Sequence, residues 1–392
     1  MKSLKTLVLF IACLSQQACC KTVSQLKREI LDQILPKNEN EIFVAPGNNT
    51  NGVTVVETSL HVLDIEDVNE NNLEFTLTLY FRHGWKDHRL KYIANNQFGY
   101  VSINDDGVIW TPDTFFVNEK KGHGFDVLRP NVFIKIYPDG YVECSKKVSV
   151  TLACPMDFTR FPFDKQQCSV RMESYGSGTD SIILKWKQHS AISISESVVL
   201  PLFQVDKLVS SSGSIHLTTV EYSFLNISIY FTRRLSYYVH QVFLPSILIV
   251  IISWLPFWLK KQALVARLLV GIGLVMTYTM CVLKFQPKTS YATSMQYFTW
   301  MCMTFLVTSL LETIAIHILS KDDDQIKDCV ESGNVKTPRV KADFVVLGSR
   351  FLVPLIFGLL CFVYFVTNGG FGSDDGVEVP GNKTSEIIVN AF

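Results

Sequence analysis

The sequence predicts an extracellular all-β sandwich followed by an α-helical transmembrane four-helix bundle. Three observations carry that expectation. The first 20 residues read as an export signal. The next stretch, to about residue 234, alternates apolar and polar side chains in short runs, the period of half-buried strands. Beyond Arg234 the composition changes abruptly, and four apolar runs follow, each able to cross a hydrocarbon core of about 30 Å.

Residues 1–20 carry Lys2 and Lys5, then the apolar run Leu7 to Leu14, then small residues near Ala18. That run is too short for a membrane span and suits a cleaved signal peptide. Export makes disulfides possible. Of ten cysteines, Cys13, Cys19 and Cys20 fall in the signal, so seven remain, an odd number. Cys281, Cys302 and Cys361 lie in apolar runs and Cys329 in a polar linker, which leaves Cys144, Cys154 and Cys168 outside.

Residues 21–234 form the expected extracellular domain. Val23 to Leu35 has helical spacing and reads as a short leading helix. Leu73 to Phe81 alternates strictly and reads as a strand. Asn104-Asp-Asp-Gly107, Pro138-Asp-Gly140 and Ser210-Ser-Ser-Gly213 read as turns, and Asn118 to His123 as a solvated turn. Roughly eight to ten strands in one sandwich would account for the length.

Residues 235–366 form the expected membrane domain, with spans at about 236–259, 263–284, 293–319 and 344–366 and a short cytosolic linker, 320–341. Lys260, Lys261 and Arg267 between the first two runs, with Arg339 and Lys341 before the fourth, favour cytosolic loops there. Asn48 and Asn382 begin glycosylation sequons; use of both requires both ends of the mature chain, including the tail 367–392, to be extracellular. The chain is 48% hydrophobic, 18% charged and formally neutral, with mean hydropathy +0.21, which argues against a nucleic-acid partner. No metal cluster, nucleophile triad or phosphate loop stands out, so neither an enzyme nor a cofactor is expected.

Cys154-Pro-Met-Asp-Phe-Thr-Arg-Phe-Pro-Phe-Asp-Lys-Gln-Gln-Cys168 places an aromatic-Pro-aromatic-Asp core between two cysteines. Trp110-Thr-Pro-Asp-Thr-Phe-Phe116, Tyr80-Phe-Arg-His-Gly-Trp-Lys-Asp-His-Arg-Leu-Lys91, and Arg233-Arg-Leu-Ser-Tyr-Tyr238 followed by Pro245 accompany it. Asp343, Ser349-Arg350 and Pro354 stand at the fourth run. Together these resemble the Cys-loop receptors, the pentameric ligand-gated ion channels, over residues 40 to 366. Ser253-Trp254, Phe257-Trp258 and Ala266-Arg267 resemble their anion-channel branch, the glycine, GABA and invertebrate glutamate receptors. The resemblance implies a Cys154–Cys168 disulfide, whose short loop would be worth about 3 kcal/mol, and leaves Cys144 an unpaired strand residue.

The resemblance also implies that the second run lines a pore. Val265-Ala266-Arg267 lacks the Glu that cation-selective members place there. Five copies of Arg267 would ring the inner mouth and favour chloride; Arg267 as a snorkelling anchor at the helix end is the plainer alternative. Val265 stands where the branch has Pro, Leu269 where it has a small residue, Gly273 where it has a hydroxyl, and Met276 where it has the gate Leu. The segment from Arg267 to Pro287 and Lys288 is a few residues shorter than the pattern.

An agonist, an amine or amino acid, is expected between neighbouring subunits of a homo- or hetero-pentamer. Tyr175 and Tyr222 match aromatic positions of the principal side; Ser177 and Leu217 replace two others. Tyr80 and Arg82, two apart on a strand, share a face, and Arg82 would pair with a ligand carboxylate. Ser145 matches a hydroxyl position beside them. Leu60 stands where glutamate-gated members have a second arginine. His216 reads as an exposed loop histidine. Tyr80 as ordinary packing, Arg82 as a surface ion pair and Ser145 as a plain strand residue are the alternatives. For coupling, the family pattern points to Phe161, Pro162, Asp164, Arg233, Pro287 and Lys288, with Asp164 and Arg233 a partly buried charge pair. The implied function is a chloride-conducting channel subunit in the postsynaptic plasma membrane. An auxiliary subunit without a complete agonist site, or a cation- or proton-gated channel, are the other readings.

Overall fold

The computed structural model describes residues 22–47, 52–94, 97–217, 219–258, 264–282, 284–331, 341–369 and 389–390. The export signal, both sequon asparagines, Lys260, Lys261, Arg339 and most of the tail lie outside the described residues.

Helix α1, Val23–Ile34, opens with a capping box: the Thr22 hydroxyl accepts from the Gln25 N–H, and the Gln25 side chain accepts from the Thr22 N–H at 3.0 Å. Twelve strands follow among the described residues of this domain, more than the sequence suggested. They are β1 (Thr54–Asn69), β2 (Glu74–Lys86), β3 (Val101–Ile103), β4 (Thr114–Phe116), β5 (Glu119–Gly124) and β6 (Val132–Ile136), then β7 (Tyr141–Ala153), β8 (Lys165–Ser174), β9 (Ile182–Trp186), β10 (Ile192–Ile194), β11 (Phe203–Leu217) and β12 (Val220–Arg233).

One sheet runs β10-β1-β2-β7-β6-β3, with β9 also on β1 and β5 on β7; the other runs β11-β12-β8-β4. Their inner faces meet in one apolar core. Phe75, Leu77, Leu79 and Leu152 come from the first sheet, and Met172, Leu225, Ile229 and Phe231 from the second. Phe75 and Phe231 meet edge to face at 6.3 Å.

Two expected turns are strands. Ser210 to Gly213 sits inside β11, paired with Ile227 to Phe224 of β12. Small polar residues that suit a turn locally are held extended by cross-strand pairing. Gly213 is where the Phe224 ring passes, since a Cβ would lie 3.0 Å from its Cζ. Glu119–Gly124 is likewise a strand, solvated along its length but paired with β7. The Pro138-Asp139-Gly140 turn is present, with Gly140 at φ 81.

Four helical spans follow: α2 (Leu235–Trp258), α3 (Leu264–Val282), α4 (Ser294–Glu331, apolar to Leu319) and α5 (Lys341–Gly369, apolar from Leu347). Within α2 the turns widen over Val239–Phe243, just before Pro245, and tighten over Leu255–Trp258 around Pro256. Helix α4 continues through the first half of the segment expected to be a linker. Its backbone hydrogen bonds propagate into a polar sequence that contains no Pro or Gly before Gly333. Phe243, Phe298, Tyr364 and Phe365 join three spans in one aromatic cluster, with Phe243 to Phe298 at 4.9 Å. Some polar groups inside the bundle are paired across helices, as an apolar solvent favours: Ser309 Oγ donates to Ser253 O at 2.8 Å and Tyr278 OH to Thr299 O at 3.0 Å. Two further residues, Val389–Asn390, pair antiparallel with β11 at Leu208 and Lys207.

Candidate functional site

The Cys154–Cys168 disulfide is formed, with Cα atoms 5.0 Å apart. It joins the end of β7 in one sheet to β8 in the other, and so holds the loop between them at the edge of both. Cys144 is a free thiol buried on β7, and burial pushes its pKa up to about 11.

The loop 155–164 packs onto the helices. Phe161 is fully buried and meets Tyr238 of α2 edge to face at 5.0 Å. Phe163 meets Phe243 and Tyr364. Asp164 receives the Arg233 guanidinium through two bonds, Nε–Oδ1 at 2.6 Å and Nη2–Oδ2 at 2.9 Å. The pair is wholly buried, not partly. Arg233 also donates to Glu70, at the end of the β1–β2 hairpin, and to Tyr238 OH at 3.1 Å. Its guanidinium lies over the Phe161 and Phe203 rings, at 4.6 Å from each. Burial works against that charge, but the hydrogen bonds and charge of Asp164, then Glu70, more than offset it. Arg233 is therefore held above its ordinary pKa.

Pro287 and Lys288 are not where the described hydrogen bonds run, and Lys288 is exposed. The Phe158 N–H donates to Tyr291 OH at 2.9 Å, and that hydroxyl donates to Asp157 Oδ1 at 3.3 Å. The Ser294 and Met295 N–H groups, at the start of α4, donate to Thr159 O and Phe161 O, both at 3.0 Å. Tyr291 and Glu70 were missed in the sequence; neither belongs to a local pattern.

On the sheet of β8 and β12, period-2 alternation puts Glu173, Tyr175, Tyr222 and Phe224 outward. Phe115 of β4 meets Tyr175 edge to face at 5.4 Å. Glu173 is 5% exposed and accepts from Arg171 Nε at 2.7 Å, while the Arg171 guanidinium lies 4.4 Å over Phe224. Asp113 braces the loop that carries Tyr175: Ser174 Oγ donates to it at 2.6 Å and the Gly176 N–H at 2.8 Å. Thr179 N–H donates to Glu221 O at 2.8 Å, so the β11–β12 hairpin lies against the same loop. A cavity of about 700 Å³ behind that loop is lined by Phe43, Asp106, Trp110, Asp113 and Ser177. Phe115 stands inside a quoted motif, and the alternation that turns Tyr175 outward puts Glu173 on the same face, where it is buried under its neighbours.

On the opposite sheet, Arg82 of β2 pairs in register with Ser59 of β1 and Ser145 of β7, and Tyr80 with His61 and Lys147. Arg82 is exposed, with its guanidinium 5.7 Å over Tyr80. Leu60 is 2% exposed and faces the core, so the outward positions of β1 here are Ser59 and His61. His216 is exposed, on β11, within 3.9 Å of Glu221. The two walls, Tyr175–Tyr222 and Tyr80–Arg82–Ser145, lie on different sheets of this subunit and do not meet within it.

Along α3, Val265, Leu269, Gly273, Met276 and Met280 recur every three or four residues and form one exposed stripe. Ala266 flanks it. Arg267 lies on the opposite side of the helix, only 2% exposed, turned into its own bundle. Within this subunit Arg267 is therefore not part of the exposed stripe. Gly271 also faces inward; a Cβ there would lie 3.1 Å from Leu310 Cγ of α4.

The neurotransmitter-gated ion-channel ligand binding domain matches residues 27–235, and the neurotransmitter-gated ion-channel transmembrane region matches residues 242–337. The glutamate-gated chloride channel of Drosophila melanogaster is 34% identical over 301 residues, which cover 75% of this chain and 66% of that protein. The human gamma-aminobutyric acid receptor subunit rho-3 is 31% identical over 325 residues, 79% of this chain and 69% of that one. The chicken gamma-aminobutyric acid receptor subunit beta-4 is 33% identical over 311 residues, 78% and 62%. The chain thus spans roughly two thirds of the length of these relatives.

Proposed function

This chain belongs to the neurotransmitter-gated ion-channel family, and we propose that it is a subunit of a pentameric, chloride-selective channel opened by an extracellular agonist bound between subunits. The observation that carries the selectivity is the composition of α3. It holds Arg267 and no carboxylate, and its exposed stripe is apolar or glycine throughout. A buried Arg267 acts from behind the stripe, as a positive potential near the inner mouth rather than as a lining side chain. Met276 and its neighbours on the stripe supply an apolar constriction that gates by dewetting.

For the agonist, the reading combines two walls from adjacent subunits. Phe115, Tyr175 and Tyr222, with Glu173 among them, suit an ammonium group. Arg82 with Ser145 suits a carboxylate. A zwitterionic amino acid matches both. Closure of the β11–β12 hairpin would reach the membrane through Arg233, Asp164 and the loop 155–164, whose contacts with α2 and α4 are already in place. In this reading the protein sits in the postsynaptic plasma membrane with both termini outside.

Expression of the chain in an electrically quiet cell, with a panel of amino acids and amines, tests this. The reversal potential should follow chloride when external chloride is replaced. A reversal potential that ignores chloride overturns the selectivity. Ser177 and Leu217, where aromatics would complete the principal wall, favour a second reading as a partner subunit in a heteropentamer. Silence alone, with current on co-expression of a relative, selects it.

A further inference from the structure

Strand β11 runs for 15 residues, and β12 pairs with it along its whole length. Its other side lies toward the edge of the sheet. Edge N–H and C=O groups without partners are a template for another extended segment. At the start of β11, Arg234 takes two carbonyls: its N–H donates to Leu202 O at 2.8 Å and its Nε to Phe203 O at 3.3 Å. Further along, the Ser211 carbonyl takes the indole N–H of Trp186 at 3.0 Å. Between these points, among the described residues, one segment pairs with the edge. It is Val389–Asn390, antiparallel, with Asn390 opposite Lys207 and Val389 opposite Leu208.

Three features suit that place. The ladder between β11 and β12 is irregular at Asp206, between Val205 and Lys207, and the Asp206 carboxylate accepts from the Thr232 hydroxyl. Such a bulge bends the strand that carries it, and the tail residues pair just past the bend. Register sets the apolar tail residue opposite Leu208, which is 1% exposed. It sets the amide residue opposite Lys207, which is exposed and lies 4.7 Å over Tyr230. That is the alternation required of a strand joining this sheet. The sequence from Asn382 to Phe392 contains no Pro or Gly and includes Ile387, Ile388 and Val389, residue types that favour strands.

The chain is long enough to reach. A Cβ on Gly369, at the end of α5, would lie 3.6 Å from Phe163 Cε1 in the disulfide loop. Phe203, where β11 begins, lies under the Arg233 guanidinium at the same junction. From Phe203 to Leu208 is about 17 Å of strand. About 20 residues separate Gly369 from Val389, and a segment of that length spans up to about 65 Å when extended.

We infer that the outer edge of β11 is a docking surface for an extended peptide, and that its occupant is this chain's own tail, added as a strand at Val389–Asn390. Main-chain hydrogen bonds hold such an added strand. The inference rests on the reading that both ends of the mature chain lie outside. It gives α5 a second tie to the β11–β12 hairpin, separate from Arg233 and Asp164. Any movement of β11 then pulls on the fourth span directly.

The test is disulfide trapping in the full chain, in the membrane of intact cells. Lys207→Cys with Asn390→Cys puts two thiols at facing register positions, at the Cα separation a disulfide needs. Gln204→Cys and Val209→Cys, each combined with Asn390→Cys, are the controls, since both flank Lys207 on β11 and neither faces Asn390. Under mild oxidation the facing pair should link at least roughly fivefold more than either control. The linked peptides are identified by mass spectrometry, and a monomer-sized band on a non-reducing gel shows that the link lies within one chain. Equal yields in all three describe a tail that collides with β11 without docking, and overturn the inference. A dimer-sized band assigns the strand to a neighbouring copy and overturns the occupant named here. Asn390→Cys alone decides the topology, because a membrane-impermeant maleimide should label it from outside. Labelling only after permeabilisation removes the reading of the termini and the inference with it. Labelling from outside without a link to position 207 removes the inference alone.

Discussion

Arg233 and Asp164 meet through two parallel bonds, 2.6 and 2.9 Å long, with neither side chain reaching solvent. Removing one partner of such a pair strands the other charge, at a cost of about 3–5 kcal/mol. Asp164→Asn and Arg233→Leu should therefore each lower surface expression and the melting temperature of the purified assembly. The simple swap, Asp164→Arg with Arg233→Asp, is expected to rescue poorly. It sets a carboxylate at 233 that donates nothing to Glu70 and repels it. Adding Glu70→Gln should restore expression. Equal rescue by the double and triple variants would show that Glu70 is not part of the junction.

Tyr291 is the hydroxyl to which the buried Phe158 N–H donates. Tyr291→Phe leaves that donor without its acceptor, worth about 1 kcal/mol. If the bond differs between closed and open states, the half-maximal agonist concentration should move roughly fivefold at unchanged surface expression. A superimposable concentration–response curve would limit Tyr291 to a structural role.

His83 is buried on the inner face of β2, beneath Arg82. Burial, with a smaller push from Lys146, holds its pKa down to about 3 against an ordinary value of 6.5. Its folded value lies below the unfolded one, so the unfolded chain binds the extra proton between those values. Stability is full above about pH 6.5 and falls as pH drops toward 3, by up to about 1.4 kcal/mol per unit. Thermal unfolding of the assembly should show this loss between about pH 6.5 and 4, and His83→Leu should flatten it. A wild-type melting temperature constant over that range would contradict a neutral buried imidazole.

Met276 is 63% exposed at the middle of the open stripe of α3. Met276→Ser replaces an apolar constriction with a hydroxyl that holds water. The expected result is standing chloride current without agonist and a half-maximal concentration lower by about tenfold, a bias of about 1.4 kcal/mol toward the open state. Unchanged resting conductance would place the constriction elsewhere on the stripe.

The sandwich, the four spans and the Arg233–Asp164 junction were legible because each rests on periodicity or on motifs in a fixed order. What escaped had physical causes. Arg267 sits in a helix that is apolar all round, so the sequence does not say which face turns inward. Leu60 was aligned by motif, whereas the alternation Val56, Thr58, Leu60, Val62 would have turned it into the core. Ser210 to Gly213 carries turn residues whose local preference loses to pairing along the whole of β12. Glu70 reaches Arg233 only because the β1–β2 hairpin folds down beside the first span, a contact between residues 163 apart. Phe115 and His61 become partners of Tyr175 and Tyr80 only through sheet register, which a single strand does not reveal.

The start of α4 has four backbone donors that no helical carbonyl can take. Thr293 and Gln296 satisfy two by capping each other, with the Thr293 N–H on the Gln296 side chain at 3.2 Å and the Gln296 N–H on the Thr293 hydroxyl at 3.3 Å. The remaining two, on Ser294 and Met295, are taken by carbonyls of the disulfide loop. A membrane helix is thus finished by atoms of the other domain. Chimaeras that join this extracellular domain to a foreign bundle at residue 234 would divide that cap between two parents. Boundaries that carry residues 157–161 and 291–296 together from one parent keep it whole.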